Sequence, residues 1–227
     1  MIVIDIETMV DYEDVNYNNY KTSSKKKKKN EDVEDTTDFA LHPITGKISA
    51  IGIMSDLNIL NLNDKIDDLE GYGTHYYRIL TTKDNTEKQI LAEAWRSLEI
   101  HTHYFADSVV TYNGKEFDIP FMIRRSVILG INKPEKLNIQ AISSRYAQQH
   151  IDLFEVLHTY KEALKFKYIK MHEWCYRLGI VDTITDDTGN GAVIHYPNMG
   201  LWADLERHLL MDLVKTSLLY HKLKEWL

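Results

Sequence analysis

The stretch IVIDIET at residues 2–8 combines a β-branched run with two carboxylates. β-Branched residues favour extended backbone, so we predict a strand over residues 2–7. Side chains alternate along a strand, which places Asp5 and Glu7 on the same side. Two neighbouring carboxylates raise each other's pKa, and a divalent cation removes that cost. The alternative interpretation is a strand end that reaches water.

The rest of the chain alternates strand and helix patterns before a helical C-terminal half. Strands are predicted at 48–55, 57–62, 75–80 and 108–112, and helices at 86–99, 121–129, 152–164, 168–178 and 203–225, with a hairpin near 183–196. This order is typical of an α/β sandwich with a mixed sheet. A length of 227 residues suits a single domain, which we assign to 1–227.

Composition excludes several classes of protein. The single cysteine, Cys175, rules out an internal disulfide and a thiolate zinc cluster, and it indicates a reducing compartment, hence the cytoplasm. No apolar stretch is long enough for a membrane helix, and the N-terminus has no basic leader of a signal peptide. A formal net charge of −7, from 27 basic and 34 acidic residues, argues in general against a nucleic-acid partner.

Residues 11–38 interrupt this pattern with a polar, charged insert. Five consecutive lysines, Lys25 to Lys29, are followed by an acidic cluster between Glu31 and Asp38. The segment has too few apolar residues to offset the entropy cost of ordering, so we predict a flexible insert. The lysine run is either a solvated loop or an arm that contacts phosphates.

Two further aspartates lie just before or within predicted helices. Asp118 precedes Ile119 and Pro120, where it is either a helix N-cap or a group that faces a cleft, and both roles are compatible. Asp212 falls inside the apolar arc of the last helix, and His208 lies four residues earlier on the same side. A carboxylate there is either a metal ligand, a partner of a buried cation, or half of a structural His–Asp pair.

Four carboxylates from three separate elements are what a two-metal phosphoryl-transfer site requires. They are Asp5, Glu7, Asp118 and Asp212. Oxygen-rich ligands favour Mg²⁺ or Mn²⁺ over zinc, so we expect two such ions as cofactors.

These motifs resemble those of the DEDD superfamily of 3′–5′ exonucleases, and most of all stand-alone relatives of the proofreading exonuclease domain of B-family DNA polymerases. The D-x-E of the first strand is matched at residues 5–7, and TYNGKEFDIPFMIRR at 111–125 is similar to the second motif. The segments HPITGKISAIGI (42–53), HIDLFEVL (150–157) and WCYRLGI (174–180) also resemble family segments.

The resemblance implies a fold, a reaction and a set of site residues. The fold is RNase H-like, a five-stranded mixed sheet flanked by helices. The reaction is hydrolysis at 3′ ends of single-stranded DNA with release of nucleoside 5′-monophosphates. The four carboxylates would hold the metals, and the implied substrate-binding residues are Thr8, Asn113, Phe117 and Arg124.

The third motif departs from the family pattern. One subclass has Tyr four residues before the last Asp and the other has His five residues before it, whereas here His208 lies four residues before Asp212. His208 is therefore expected to be a general base or a water-positioning group, or else a degenerate position in a slow or inactive protein.

Two alternative functions and the role of two arginines stay open at this point. The protein is also compatible with a non-catalytic subunit of a replication complex, or with an exonuclease that trims RNA. Near the second motif, Arg124 and Arg125 are either solvated or a contact for substrate phosphate.

Overall fold

A computed structural model describes residues 1–12, 37–57, 64–144, 146–158, 169–180 and 190–227. Most of the predicted insert at 11–38, including Lys25–Lys29, and most of the strand predicted at 57–62 lie outside these residues. Within the described ranges the chain forms one mixed sheet of six strands in the order β3-β4-β2-β1-β5-β6. The strands are β1 (Ile2–Val10), β2 (Gly46–Ser55), β3 (Asp64–Ile66), β4 (His75–Thr81), β5 (Val109–Thr111) and β6 (His150–Asp152).

The helices lie between and after the strands. In chain order they are α1 (Thr37–Ala40), α2 (Glu87–Glu99), α3 (Asp118–Ile128), α4 (Ile139–Ser143), α5 (Leu153–Leu157), α6 (Met171–Arg177), α7 (Asn190–Val193), α8 (Tyr196–Met199) and α9 (Trp202–Leu223). A π-helical turn, Ile100–Tyr104, extends α2, and a short 3₁₀ turn, Lys224–Trp226, follows α9.

Strand β1 lies in the interior of the sheet, antiparallel to β2 and parallel to β5. Strands β2, β4 and β3 continue the antiparallel half, and β6 pairs in parallel with β5. Because the two faces of β1 alternate, Ile2, Ile4 and Ile6 pack with α2 and α3, whereas Val3 packs on the opposite face with α9. Asp5 and Glu7 lie on the same face of β1 as Val3 and therefore point toward α9.

The fold class predicted from the sequence is confirmed. The sheet has one strand more than the five expected, and its two short edge strands, β3 and β6, lie outside the strands predicted from the sequence. The hairpin predicted near 183–196 is wrong for residues 190–196, where α7 and the start of α8 are found. In the part of the chain described by the structure, every helix is too short or too polar to cross a bilayer.

Candidate active site

Strand β1 brings Asp5 and Glu7 to the face covered by α9. The register between β1 and β2 shifts after Glu7, which pairs with Ala50, while Thr8 pairs with Ile48. Ser49 is thus an extra residue on β2, and its hydroxyl donates to the carbonyl of Glu7 over 3.1 Å. A β-bulge of this kind re-aims the neighbouring side chains, and here it adjoins the second carboxylate of the motif.

Helix α3 contributes Asp118, which is 3 % exposed. The backbone N–H of Ile6 donates to Asp118 Oδ1 over 3.0 Å, and the side chains of Asp5 and Asp118 share a hydrogen bond. Asp118 is the first residue of α3 and not its N-cap, which is Phe117. The carboxylate that looked like a cap in the sequence is held instead against β1.

Helix α9 contributes His208 and Asp212. His208 Nε2 lies 3.3 Å from Glu7 Oε1 and 3.6 Å from Asp212 Oδ2. The approach of α9 to the sheet depends on Gly52, the residue of β2 that pairs with Asp5. A Cβ atom at Gly52 would lie 2.8 Å from Leu213 Cδ1, so glycine is what lets the helix come this close.

The electrostatics of the site reflect the crowding of carboxylates. Burial raises the pKa of Asp5 well above its usual value, and the negative charges of Asp118, Asp212 and Glu7 raise it further. Burial also raises the pKa of Asp118 to about 7, although the hydrogen bond from Ile6 opposes the rise. All four predicted carboxylates therefore interact within one site, at a free-energy cost that a divalent cation would remove.

The donor set fits a divalent cation. Ligand atoms of Glu7, His208 and Asp212 lie within 4.8 Å of one another, and Asp5 with Asp118 completes the same face. Ligands about 2.1 Å from one ion are separated by roughly 3–4 Å, which matches these distances. Oxygen donors suit Mg²⁺ or Mn²⁺.

The residues implied to bind substrate are in different environments. Thr8 is buried in β1, and Asn113 is half-buried in the turn after β5. The ring of Phe117 packs against that of Phe121, with 5.4 Å between centroids. Arg124 is exposed on α3.

Arg125 is occupied by the protein itself. Its guanidinium donates to both carboxylate oxygens of Glu87 at 2.8 and 2.6 Å, and to the carbonyl of Pro43 at 3.0 Å. Of the two arginines proposed as phosphate contacts, Arg125 is therefore a buried structural residue that joins α3 to α2.

Two residues near the site were missed in the sequence. Lys215 Nζ lies 3.4 Å from Asp212 Oδ1, and its i+3 spacing from Asp212 was the signal available. Asp152 ends β6 and is 2 % exposed. Its place between His150–Ile151 and the helix segment LFEVL marks it as an N-cap. The N-cap role does not account for its hydrogen bond from the backbone N–H of Asn113.

The fold is similar to part of a family B DNA polymerase. Over 98 % of its length, the chain is similar to the family B DNA polymerase from the hyperthermophilic archaeon Pyrobaculum calidifontis, with a TM-score of 0.59 and 15 % identity. The chain covers 24 % of that polymerase, so the likeness is to a part of it and shows the fold. No curated protein matches the sequence.

Residues 65–226 match the family described as predicted 3′–5′ exonucleases related to the exonuclease domain of PolB. The chain belongs to this family, as its motifs indicate. The matched range includes Asp118, His208 and Asp212 and begins after Asp5 and Glu7. The D-x-E motif of β1 lies outside the matched range and contacts it through Asp118 and His208.

Proposed function

We propose that this protein is a metal-dependent 3′–5′ exonuclease that hydrolyses single-stranded DNA from its 3′ end and releases nucleoside 5′-monophosphates. The observation that carries the proposal is the meeting of four carboxylates from β1, α3 and α9. Buried carboxylates that raise one another's pKa are not retained for packing, and they suit a site for divalent cations.

In this proposal Asp5, Glu7, Asp118 and Asp212 hold two Mg²⁺ or Mn²⁺ ions. Bound metal supplies an activated water and neutralises charge on the scissile phosphate. The side chain of His208 faces Glu7 and Asp212, where its Nε2 atom accepts a proton from the attacking water or orients that water.

The substrate is expected to enter as a single strand. Thr8, Asn113, Phe117 and Arg124 would contact its terminal nucleotides, and the exposed Arg124 is suited to a phosphate. A net charge of −7 disfavours non-specific binding to duplex DNA, which is consistent with an enzyme that engages strand ends. We place this activity in one domain, 1–227, and in the cytoplasm, where the thiol of Cys175 stays reduced.

The test is digestion of a 3′-labelled oligonucleotide with Mg²⁺ or Mn²⁺. Asp5→Asn and Asp212→Asn should each lower kcat by at least about 10²-fold, since each removes a metal ligand. Asp204→Asn is the matched control, because Asp204 is an exposed carboxylate on the same helix as Asp212. Full activity in either site variant would refute the assignment.

Two further measurements separate the alternatives. Parallel digestion of DNA and RNA oligonucleotides distinguishes a DNA enzyme from one that trims RNA. A wild-type protein that binds no Mn²⁺ and cleaves neither substrate would instead be a non-catalytic subunit.

His208→Ala should lower kcat by about 10²-fold, as expected for loss of a proton acceptor or of a water-orienting group.

A further inference from the structure

We propose that Asp152 is a positioning residue that fixes Asp118 in the active site through the backbone of the intervening turn. The inference rests on the proposed function, because it assigns Asp152 a role in the same site. Asp152 is at the end of β6, and its carboxylate binds the turn that connects β5 to α3.

Both carboxylate oxygens of Asp152 accept hydrogen bonds from that turn. The backbone N–H of Asn113 donates to Oδ1 over 2.7 Å, and the N–H of Lys115 donates to Oδ2 over 2.9 Å. Oδ1 also accepts the N–H of Phe154 at 3.0 Å, which caps α5. Charge-assisted bonds of this length are roughly twice as strong as neutral ones, so the turn is held firmly.

The N–H between these two is held as well. Gly114 donates to Thr111 Oγ1 over 3.1 Å, and Thr111 Oγ1 is 2.8 Å from His150 Nε2. His150 Nδ1 lies 2.6 Å from the carbonyl of Ile142, which requires the proton on Nδ1. His150 Nε2 then accepts a hydrogen bond from the Thr111 hydroxyl. One chain of hydrogen bonds thus runs from the Gly114 N–H through Thr111 and His150 to the carbonyl of Ile142.

This turn also fixes the backbone at the start of α3. The N–H of Phe117 donates to the carbonyl of Asn113 over 3.1 Å, and that of Ile119 donates to the carbonyl of Gly114 over 3.0 Å. Asp118 lies between these two anchored residues. Asn113 adopts a φ of 71°, a left-handed conformation that costs free energy for a residue with a side chain. The three anchored N–H groups offset that cost.

An N-cap alone does not require this arrangement. A cap for the five-residue helix α5 uses one oxygen and one N–H, whereas Asp152 commits both oxygens to the turn before Asp118. Catalytic groups must be held within about 0.5 Å of their working geometry, and partners of metal ligands contribute about 10–100-fold to metal affinity or activity.

The experiment compares Asp152→Asn with Ile90→Val, which removes one buried methyl group from α2 and none of the hydrogen bonds of the turn. An asparagine at 152 retains one acceptor, and its amide group opposes an N–H of the turn. We expect Asp152→Asn to lower kcat about 10–100-fold with KM changed less than about 2-fold. The Mn²⁺ concentration at half-saturation, followed by electron paramagnetic resonance, should rise about 10-fold.

Thr111→Val gives an independent perturbation of the same turn and should shift Mn²⁺ binding in the same direction by a smaller factor. Ile90→Val should change neither kcat nor Mn²⁺ binding. The proposal is overturned if Asp152→Asn has wild-type kcat and Mn²⁺ binding, or if Ile90→Val loses as much as Asp152→Asn. If the wild type binds Mn²⁺ but cleaves nothing, the proposed function fails, and the Mn²⁺ titrations alone decide the role of Asp152.

Discussion

Replacing Gly52 by alanine tests whether close packing of α9 on the sheet sets the active site. The new Cβ would lie 2.8 Å from Leu213 Cδ1, 2.9 Å from Leu209 Cγ and 3.2 Å from Leu209 Cδ1. Carbon atoms in contact prefer about 3.5–4.0 Å, so α9 or its leucines must retreat by roughly 0.7–1 Å. Both leucines are completely buried, which leaves them little room to turn aside.

The expected consequence is larger for activity than for stability. Overpacking of a core costs about 1–3 kcal/mol of unfolding free energy. A displacement of about 1 Å can cost 10²-fold in rate, and α9 carries both His208 and Asp212. We therefore expect Gly52→Ala to remain folded and to lose about 10–100-fold in kcat/KM, measured on a 3′-labelled oligonucleotide.

Two controls isolate the geometric effect. Ile90→Val removes one buried methyl group from α2 on the opposite face and costs about 1 kcal/mol of stability without moving α9. Combining Gly52→Ala with Leu213→Ala restores the space and should recover part of the activity, with a coupling that a double-mutant cycle measures. Wild-type kcat/KM in Gly52→Ala would refute the reasoning, as would an equal loss in Ile90→Val.

Further predictions concern charge in and near the site. Since the pKa of Asp118 is raised to about 7, the metal-free folded state binds more protons than the unfolded state between about pH 4 and 7. This contribution to stability is present at low pH and is lost as pH rises. The unfolding free energy measured with urea should therefore decline less steeply between about pH 4 and 7 in Asp118→Asn than in the wild type. Saturating Mn²⁺ should remove the decline in the wild type. A wild type and Asp118→Asn with parallel pH profiles would contradict this. Arg125→Ala should cost about 3–5 kcal/mol of unfolding free energy, because it removes the cationic partner of the Glu87 carboxylate and leaves it the hydrogen bond from the N–H of Ile48. Arg124→Ala should leave the unfolding free energy unchanged and weaken oligonucleotide binding. If Arg124→Ala lowered stability and Arg125→Ala weakened binding instead, the structural and phosphate-binding roles of the two arginines would be exchanged.

Much of the site could be predicted because its residues violate local rules. Asp5 interrupts a β-branched strand and Asp212 interrupts the apolar arc of a helix, and such violations are costly unless a ligand compensates. Strand β6 was missed because it has three residues and leads directly into a helix, which leaves too short a pattern to recognise.

The sequence alone determined the alternation of strands and helices, the placement of Asp5 and Glu7 on one face of a strand, and the motifs that place the chain in its family. These features follow from local backbone preference and side-chain period, which a single segment carries. Only the tertiary structure decided that Arg125 is buried against Glu87 while Arg124 is exposed, because adjacent helix positions face directions about 100° apart and the neighbours decide which side is covered. The hold of Asp152 on the turn before Asp118 also required the structure. It joins residues nearly forty positions apart through backbone N–H groups, which every residue except proline carries and which leave no trace in a sequence.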